Sequence, residues 1–76
     1  MRNTHRVQHA RYALASSLWA RGEAPRPADQ GTVIDLLADL RHYCKRHGFD
    51  YVQCDRIALD HFETECVIGE PEILTV

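Results

Sequence analysis

Residues 32–65 read TVIDLLADLRHYCKRHGFDYVQCDRIALDHFETE and contain the two patterns that decide the fold. In the first half, apolar side chains recur every three or four residues, which is the period of an amphipathic helix. The same period returns in the second half, after Gly48, a residue that favours the left-handed backbone found at helix ends. The stretch therefore predicts a helical hairpin, with helices over about residues 33–47 and 51–65.

Short polar side chains mark the expected beginnings of these two helices. Thr32 precedes the first helix and stands three residues before Asp35, a spacing that resembles a capping box. Asp50 precedes the second helix and has the same relation to Gln53. We therefore expect Thr32 and Asp50 to be N-caps, whose side-chain oxygens accept hydrogen bonds from free backbone N–H groups.

A third amphipathic segment precedes the hairpin, over about residues 4–21. Its apolar stripe faces away from a polar side that includes Ser17, and Gly22 follows its end. Residues 22–31 contain two prolines and two glycines, which stop a helix and indicate a short connector.

These segments together predict an all-α protein. The expected architecture is a small three-helix bundle, with a hairpin of helices two and three and a short irregular C-terminal tail from residue 67 onward. The apolar end of that tail packs either on the bundle or on a partner. All 76 residues form one helical domain, and because a single core of this size is marginal, a homodimer is also expected. The expected core is Leu14, Leu18, Leu36, Leu37, Leu40 and Phe62.

Length and composition exclude several classes of protein. A chain of 76 residues is too short for a nucleotide-binding α/β domain. It holds no apolar run long enough for a transmembrane helix and opens with no secretory signal, so no membrane association is expected. Its cysteines are an odd number without a C-x-x-C pair, which favours free, buried thiols in a reducing cytoplasm: Cys44, Cys54 and Cys66.

Charge divides the chain into a basic and an acidic part. Residues 1–26 carry five arginines against one glutamate, a net charge of +4, whereas residues 27–76 carry four basic residues against ten acidic ones, a net charge of −6. The two parts either neutralise each other in the fold or serve two partner surfaces. On helical wheels, Arg11 and Asp55 fall inside the apolar arcs of helices one and three, where an unpaired charge is costly. We therefore expect an ion pair between Arg11 and Asp55.

No catalytic, cofactor-binding or metal-binding pattern is predicted. His5 and His9 share a helix face at the spacing of zinc ligands, but the sequence identifies no third ligand. Asp60 and Glu63 match only half of the acidic pattern by which some helical nucleotide hydrolases hold Mg²⁺. We therefore expect a non-enzymatic protein without a cofactor or a metal.

Two functions stay open from the charges. In the first, outward carboxylates form an acidic face that binds a basic surface on a protein partner, unless they are simply solvated: Asp35, Asp39, Asp60 and Glu63. In the second, the basic first helix contacts the phosphates of DNA or RNA: Arg2, Arg6, Arg11 and Arg21. DNA reading by the hairpin itself is disfavoured, because residues 50–65 carry five carboxylates against a single arginine.

Residues 32–65 also resemble a recurrent stretch in small accessory proteins of proteobacterial plasmids and phages. The shared features are a D-L-L-x-D-L-x-H helix at residues 35–42, a Gly-Phe turn, and a helix ending in H-[FY]-x-x-E at residues 61–65. The resemblance implies an origin in a bacterial mobile element and carries over no activity or functional residue. With the acidic face, it leads to the hypothesis of a regulator that inhibits a nucleic-acid-handling complex.

Overall fold

The computed structural model describes the backbone of residues 2–69 and the side chains of residues 4–66. It contains three helices: α1 spans Arg2–Ala20, α2 spans Gln30–His47 and α3 spans Tyr51–Gly69. Each helix contacts the other two, and no strand occurs within the described range. The predicted all-α fold, with helices two and three as a hairpin, is thus confirmed.

The beginning of α2 differs from the sequence prediction by one helical turn. Asp29 is the N-cap: its side chain accepts a hydrogen bond of 2.9 Å from the backbone N–H of Thr32. In return, the backbone N–H of Asp29 donates to the Thr32 hydroxyl over 3.3 Å, which completes a capping box. The prediction of Thr32 as N-cap is wrong because Asp29, a strong acceptor, lies upstream, and Gln30 and Gly31 join the helix.

The turn between α2 and α3 follows the prediction. Gly48 adopts a left-handed backbone with φ 74° and ends α2. The next backbone N–H, of Phe49, donates to the Cys44 carbonyl over 2.8 Å, which satisfies an acceptor in the last turn of the helix. Asp50 then caps α3, since its side chain accepts a 3.2 Å hydrogen bond from the backbone N–H of Gln53.

α3 continues to Gly69, past the predicted end at residue 65. Between Tyr51 and Gly69 the sequence contains no proline or further glycine, and Pro71 is the first residue after Tyr51 that cannot donate a backbone hydrogen bond. Residues 67–69 therefore belong to α3, and the rest of the predicted irregular tail, residues 70–76, falls outside the described residues. None of the described helices is long and apolar enough to cross a membrane.

Burial departs most from the sequence prediction. Among the apolar side chains that the structure describes, only Leu18 is buried, with 3% of its surface exposed. Leu14 and Leu36 are half-buried. The other predicted core residues are exposed: Leu37 by 43%, Leu40 by 43% and Phe62 by 61% of their surface. The prediction of a closed core is wrong for these three because the helices pack too loosely for their apolar stripes to cover one another.

Two of the three buried residues in the described range are polar. Thr32 is 2% exposed, and its hydroxyl is held in the capping box of α2. Ser17 is 8% exposed, and its hydroxyl has no hydrogen-bond partner in the described part of the chain. The sequence placed Ser17 on the polar side of α1, which is wrong because Arg21, four residues later on the same side, reaches α2. This side of α1 therefore faces α2.

Candidate interaction surface

The inner stripes of the helices form an apolar surface that the chain leaves open. On α2, Leu36 and Cys44 are half-buried, yet Leu40, which lies between them on the same stripe, is exposed. On α3, Cys66 is half-buried while Phe62, one turn earlier, is exposed. The stripes thus point toward the inside of the fold and still contact solvent. We call this surface the open core and define it by Val7, Val33, Leu37, Leu40 and Phe62.

A groove of about 470 Å³ between α1 and α3 belongs to this surface. Its apolar lining includes Val7, Ala58 and Phe62, and Arg6 and Glu65 contribute charged groups. Arg6 donates to both carboxylate oxygens of Glu65, through Nε over 3.1 Å and through Nη2 over 2.6 Å. These bonds hold the pKa of Arg6 above its usual value. The groove thus combines an apolar lining with an ion pair between α1 and α3.

The ion pair between α1 and α3 is not the predicted one. Arg11 and Asp55 are both exposed, and no ion pair joins them within the described residues. Arg6 and Glu65 make the connection instead. The prediction failed because a helical wheel fixes the direction of a side chain but not the height at which two helices meet. Arg11 lies beside the connector, in a second groove that includes Pro27.

Carboxylates of the same chain engage other arginines of the basic end. Arg21 donates through Nη2 to the carboxylate of Asp39 over 2.6 Å and to the backbone carbonyl of Asp35 over 3.1 Å. Arg26 pairs with two carboxylates in or next to its own connector, at 2.8 and 3.4 Å. The opposite charges of the two parts of the chain therefore neutralise each other in part within the fold.

The four arginines of the nucleic-acid hypothesis have different environments. Arg6 and Arg21 are held in ion pairs. Arg11 is exposed and has no ion pair within the described residues. Arg2 lies in α1, but its side chain is not among those described. The structure thus leaves Arg11 as the described cation of this set that carries no carboxylate partner.

The predicted acidic face also divides into two parts. On α2, Asp39 is paired with Arg21, and Asp35 is exposed beside that pair. On α3, Asp60 and Glu63 are exposed and form no ion pair with any described residue. Their spacing of three residues places them on the same side of α3. Of the four carboxylates, those on α3 are therefore the ones that keep a shared, unneutralised surface.

Two of the three free cysteines are neighbours across the hairpin. Cys44 lies four residues before Gly48, and Cys54 lies four residues after Asp50, so each stands one helical turn from the hairpin end. Burial raises the pKa of the Cys44 thiol, and the adjacent Cys54 thiol raises it further. Cys44 and Cys66 are half-buried, whereas Cys54 is exposed. The prediction that Cys54 lies on the core face as a buried thiol is wrong, because α3 is not covered there.

No metal-binding or catalytic constellation can be built from the described side chains. Nowhere among them do three histidine, cysteine, aspartate or glutamate residues converge closely enough to hold an ion. His5 and His9 are both exposed on α1. That the protein needs no metal and no cofactor stays a prediction.

Comparison with protein-family models, with curated proteins and with solved structures finds no match to this chain. The resemblance of residues 32–65 to plasmid and phage proteins therefore stays a prediction.

Proposed function

We propose that this chain is a non-enzymatic helical interaction module that acts by binding protein. One observation carries the proposal: thirteen large apolar side chains are exposed among the described residues, while Leu18 alone of the apolar ones is buried. Apolar surface on this scale marks interaction sites in soluble proteins, because water solvates it poorly.

Aromatic side chains are prominent on this surface. Trp19 is 82% exposed at the end of α1, and Tyr12 and Phe62 are also exposed. Such side chains contribute much of the binding energy in protein interfaces, because each buries a large rigid area at a small cost in conformational entropy. Their exposure supports a protein partner.

The ion pairs of the basic end favour protein over nucleic acid as the partner. Binding to DNA draws most of its affinity from arginine and lysine at phosphates. Arg6 and Arg21 already neutralise Glu65 and Asp39, so each would have to leave its carboxylate before it contacted a phosphate. The DNA- or RNA-associated regulator is therefore the second hypothesis, and Arg11 is its strongest contact residue.

The exposed carboxylates of α3 suggest the chemistry of the partner. Asp60 and Glu63 would contact a basic surface, which nucleic-acid-handling complexes carry. Within the proposal, the chain regulates such a complex by covering that surface, as an accessory protein of a mobile element would. Free thiols fit a reducing compartment, so we place the activity in the cytoplasm.

Affinity capture with matched variants tests the proposal. The tagged chain is incubated with a proteobacterial extract beside two variants, Asp60→Lys with Glu63→Lys and the control His5→Ala with His9→Ala. We expect a protein that the wild type and the control retain and that the charge reversal loses. Identical captured proteins with all three would remove the acidic surface from the proposal.

A second measurement separates the two hypotheses. Labelled duplex DNA of mixed sequence is titrated with the chain at low and at high salt, and its fluorescence anisotropy is recorded. We expect no binding in either condition. Binding that weakens steeply with salt and is lost on Arg11→Ala would establish the nucleic-acid hypothesis instead.

A further inference from the structure

We infer that a second copy of this chain closes the open core, which makes the protein a twofold-symmetric dimer. The inference rests on the proposed function, because it names an occupant for the surface on which that proposal is built. Three observations carry it: the area that the chain exposes, the lack of a closed interior among the described residues, and two opposite charges on the apolar stripes of α1 and α3.

The exposed area is large for a monomer of this mass. The chain exposes 6439 Å², whereas a compact protein of 8.7 kDa exposes about 4,700 Å². In an interface of standard size, each partner buries about 800 Å². The thirteen large apolar side chains exposed among the described residues are the apolar area available to such an interface.

The described interior is too small to order the chain by itself. Every residue that folds loses backbone entropy, and burial of apolar surface is the main term that offsets this loss. Leu18 is the sole described apolar residue to be buried, while the residues of the open core stay exposed. A second copy would bury these side chains and give three ordered helices the core that one copy lacks.

Two unlike charges decide which partner fits. Arg11 lies on the apolar stripe of α1 and Asp55 on that of α3, and neither forms an ion pair within the described residues. A partner that covers the open core removes both from water, so it must offer a carboxylate to the one and a cation to the other. A copy related by a twofold axis offers both through one contact, because wherever Arg11 of one copy faces Asp55 of the second, Asp55 of the first also faces Arg11 of the second. An unrelated protein would need both charges at the same spacing.

Symmetry makes this arrangement sensitive to single charge reversals. In an Arg11→Asp dimer, each new carboxylate would face Asp55 of the second copy. In an Asp55→Arg dimer, each new guanidinium would face Arg11. Since two repulsive contacts form per dimer, we expect each variant to dissociate at least about tenfold more readily than the wild type.

Mixing the two variants is the decisive experiment. In a heterodimer of Arg11→Asp with Asp55→Arg, the aspartate introduced at position 11 of one copy faces the arginine introduced at position 55 of the other. The native Asp55 of the first copy faces the native Arg11 of the second, so no like-charge contact remains. Sedimentation equilibrium at micromolar concentration should give about twice 8.7 kDa for the wild type, monomers for each variant alone, and a dimer for their mixture. Arg46→Asp, on the polar face of α2, is the matched control and should remain dimeric. Circular dichroism records the helix content of every sample.

The outcomes separate this inference from the proposed function. A wild-type monomer that strongly binds an apolar dye would overturn the second copy and leave the open core available to another protein. A wild-type monomer that binds no dye would overturn both, because the chain would then cover its own core. A dimer that both charge reversals leave intact, or one that mixing does not restore, would show that the copies meet through another surface.

Discussion

Replacement of Thr32 by valine is expected to destabilise the protein, although the two side chains have nearly the same shape. The Thr32 hydroxyl accepts from the backbone N–H of Asp29 over 3.3 Å and lies 3.0 Å from the Asp29 carboxylate, to which it donates. The residue is 2% exposed, so water cannot replace the hydroxyl. A hydrogen bond contributes a net of about 0.5–1.5 kcal/mol, so the loss of both should cost about 1–3 kcal/mol.

That cost is a large part of the stability of so small a chain. A 76-residue protein has a free energy of unfolding of about 4–11 kcal/mol, and each kcal/mol corresponds to about 4–8 °C in Tm. Thr32→Val should therefore lower Tm by about 4–24 °C, measured by circular dichroism at one fixed protein concentration. Thr32→Ala should lower it further, because it also removes a buried methyl group.

A double-mutant cycle then tests whether the capping box is the cause. Asp29→Ala removes the carboxylate that accepts from the Thr32 hydroxyl, so the two substitutions share this hydrogen bond and the effect of Asp29→Ala should shrink in the Thr32→Val background. Asp35→Ala, a residue outside the box, should have the same effect in both backgrounds. A Tm within two degrees of the wild type for Thr32→Val (about 0.5 kcal/mol or less) would refute the reasoning, as would additive effects of the Thr32 and Asp29 substitutions.

Four further predictions follow from the described residues. Ser17→Ala should raise the free energy of unfolding by about 0.5–2 kcal/mol, because it removes a buried hydroxyl without a partner and improves helix propensity; a lower urea midpoint would contradict this. The Thr32 backbone N–H lowers the pKa of the Asp29 carboxyl in the folded protein. The carboxylate therefore stabilises the fold at pH values above its usual pKa, and this contribution is lost as the pH falls through the lowered pKa of the folded state. The Tm difference between wild type and Asp29→Asn should therefore disappear in acid, and a constant difference would count against it. With oxidised glutathione, the exposed Cys54 thiolate should attack the glutathione disulfide, and Cys44 should then displace the bound glutathione to form an intrachain Cys44–Cys54 disulfide. Peptide mapping that finds Cys66 bridged instead would exclude this pairing. Mass spectrometry of protein purified without added metal should find no stoichiometric zinc, and one zinc per chain would overturn the prediction that the protein needs no metal.

The helices could be predicted because their signals are local. The apolar period of residues 33–47, the left-handed glycine at position 48 and the Asp50 cap each depend on a few neighbouring residues, and all three are found in the structure. The start of α2 was missed because Asp29 and Thr32 both suit an N-cap, and propensity alone does not decide between two such residues one turn apart.

The tertiary contacts could not be predicted in the same way. A stripe of apolar residues shows which side of a helix points inward, but not whether a neighbouring helix is close enough to cover it. Leu18 and Leu40 both belong to the apolar stripes of their helices, yet Leu18 is buried and Leu40 is exposed. Arg6 and Glu65 form the ion pair between α1 and α3, and Arg11 and Asp55 do not, because of the position of α1 along the axis of α3. The sequence pattern of a single helix does not contain this position.

The loose interior of a single copy has a consequence for the abundance of the protein in cells. If ordered chains persist only as pairs, the amount of ordered protein rises with the square of the total when synthesis is low, because pairing is bimolecular. Unpaired chains expose their helices to proteases, so scarce protein is degraded fastest and abundant protein persists. The level of ordered protein would then rise steeply once gene expression passes a threshold, without a dedicated regulator. Pulse-chase half-lives that do not change with expression level would exclude this behaviour.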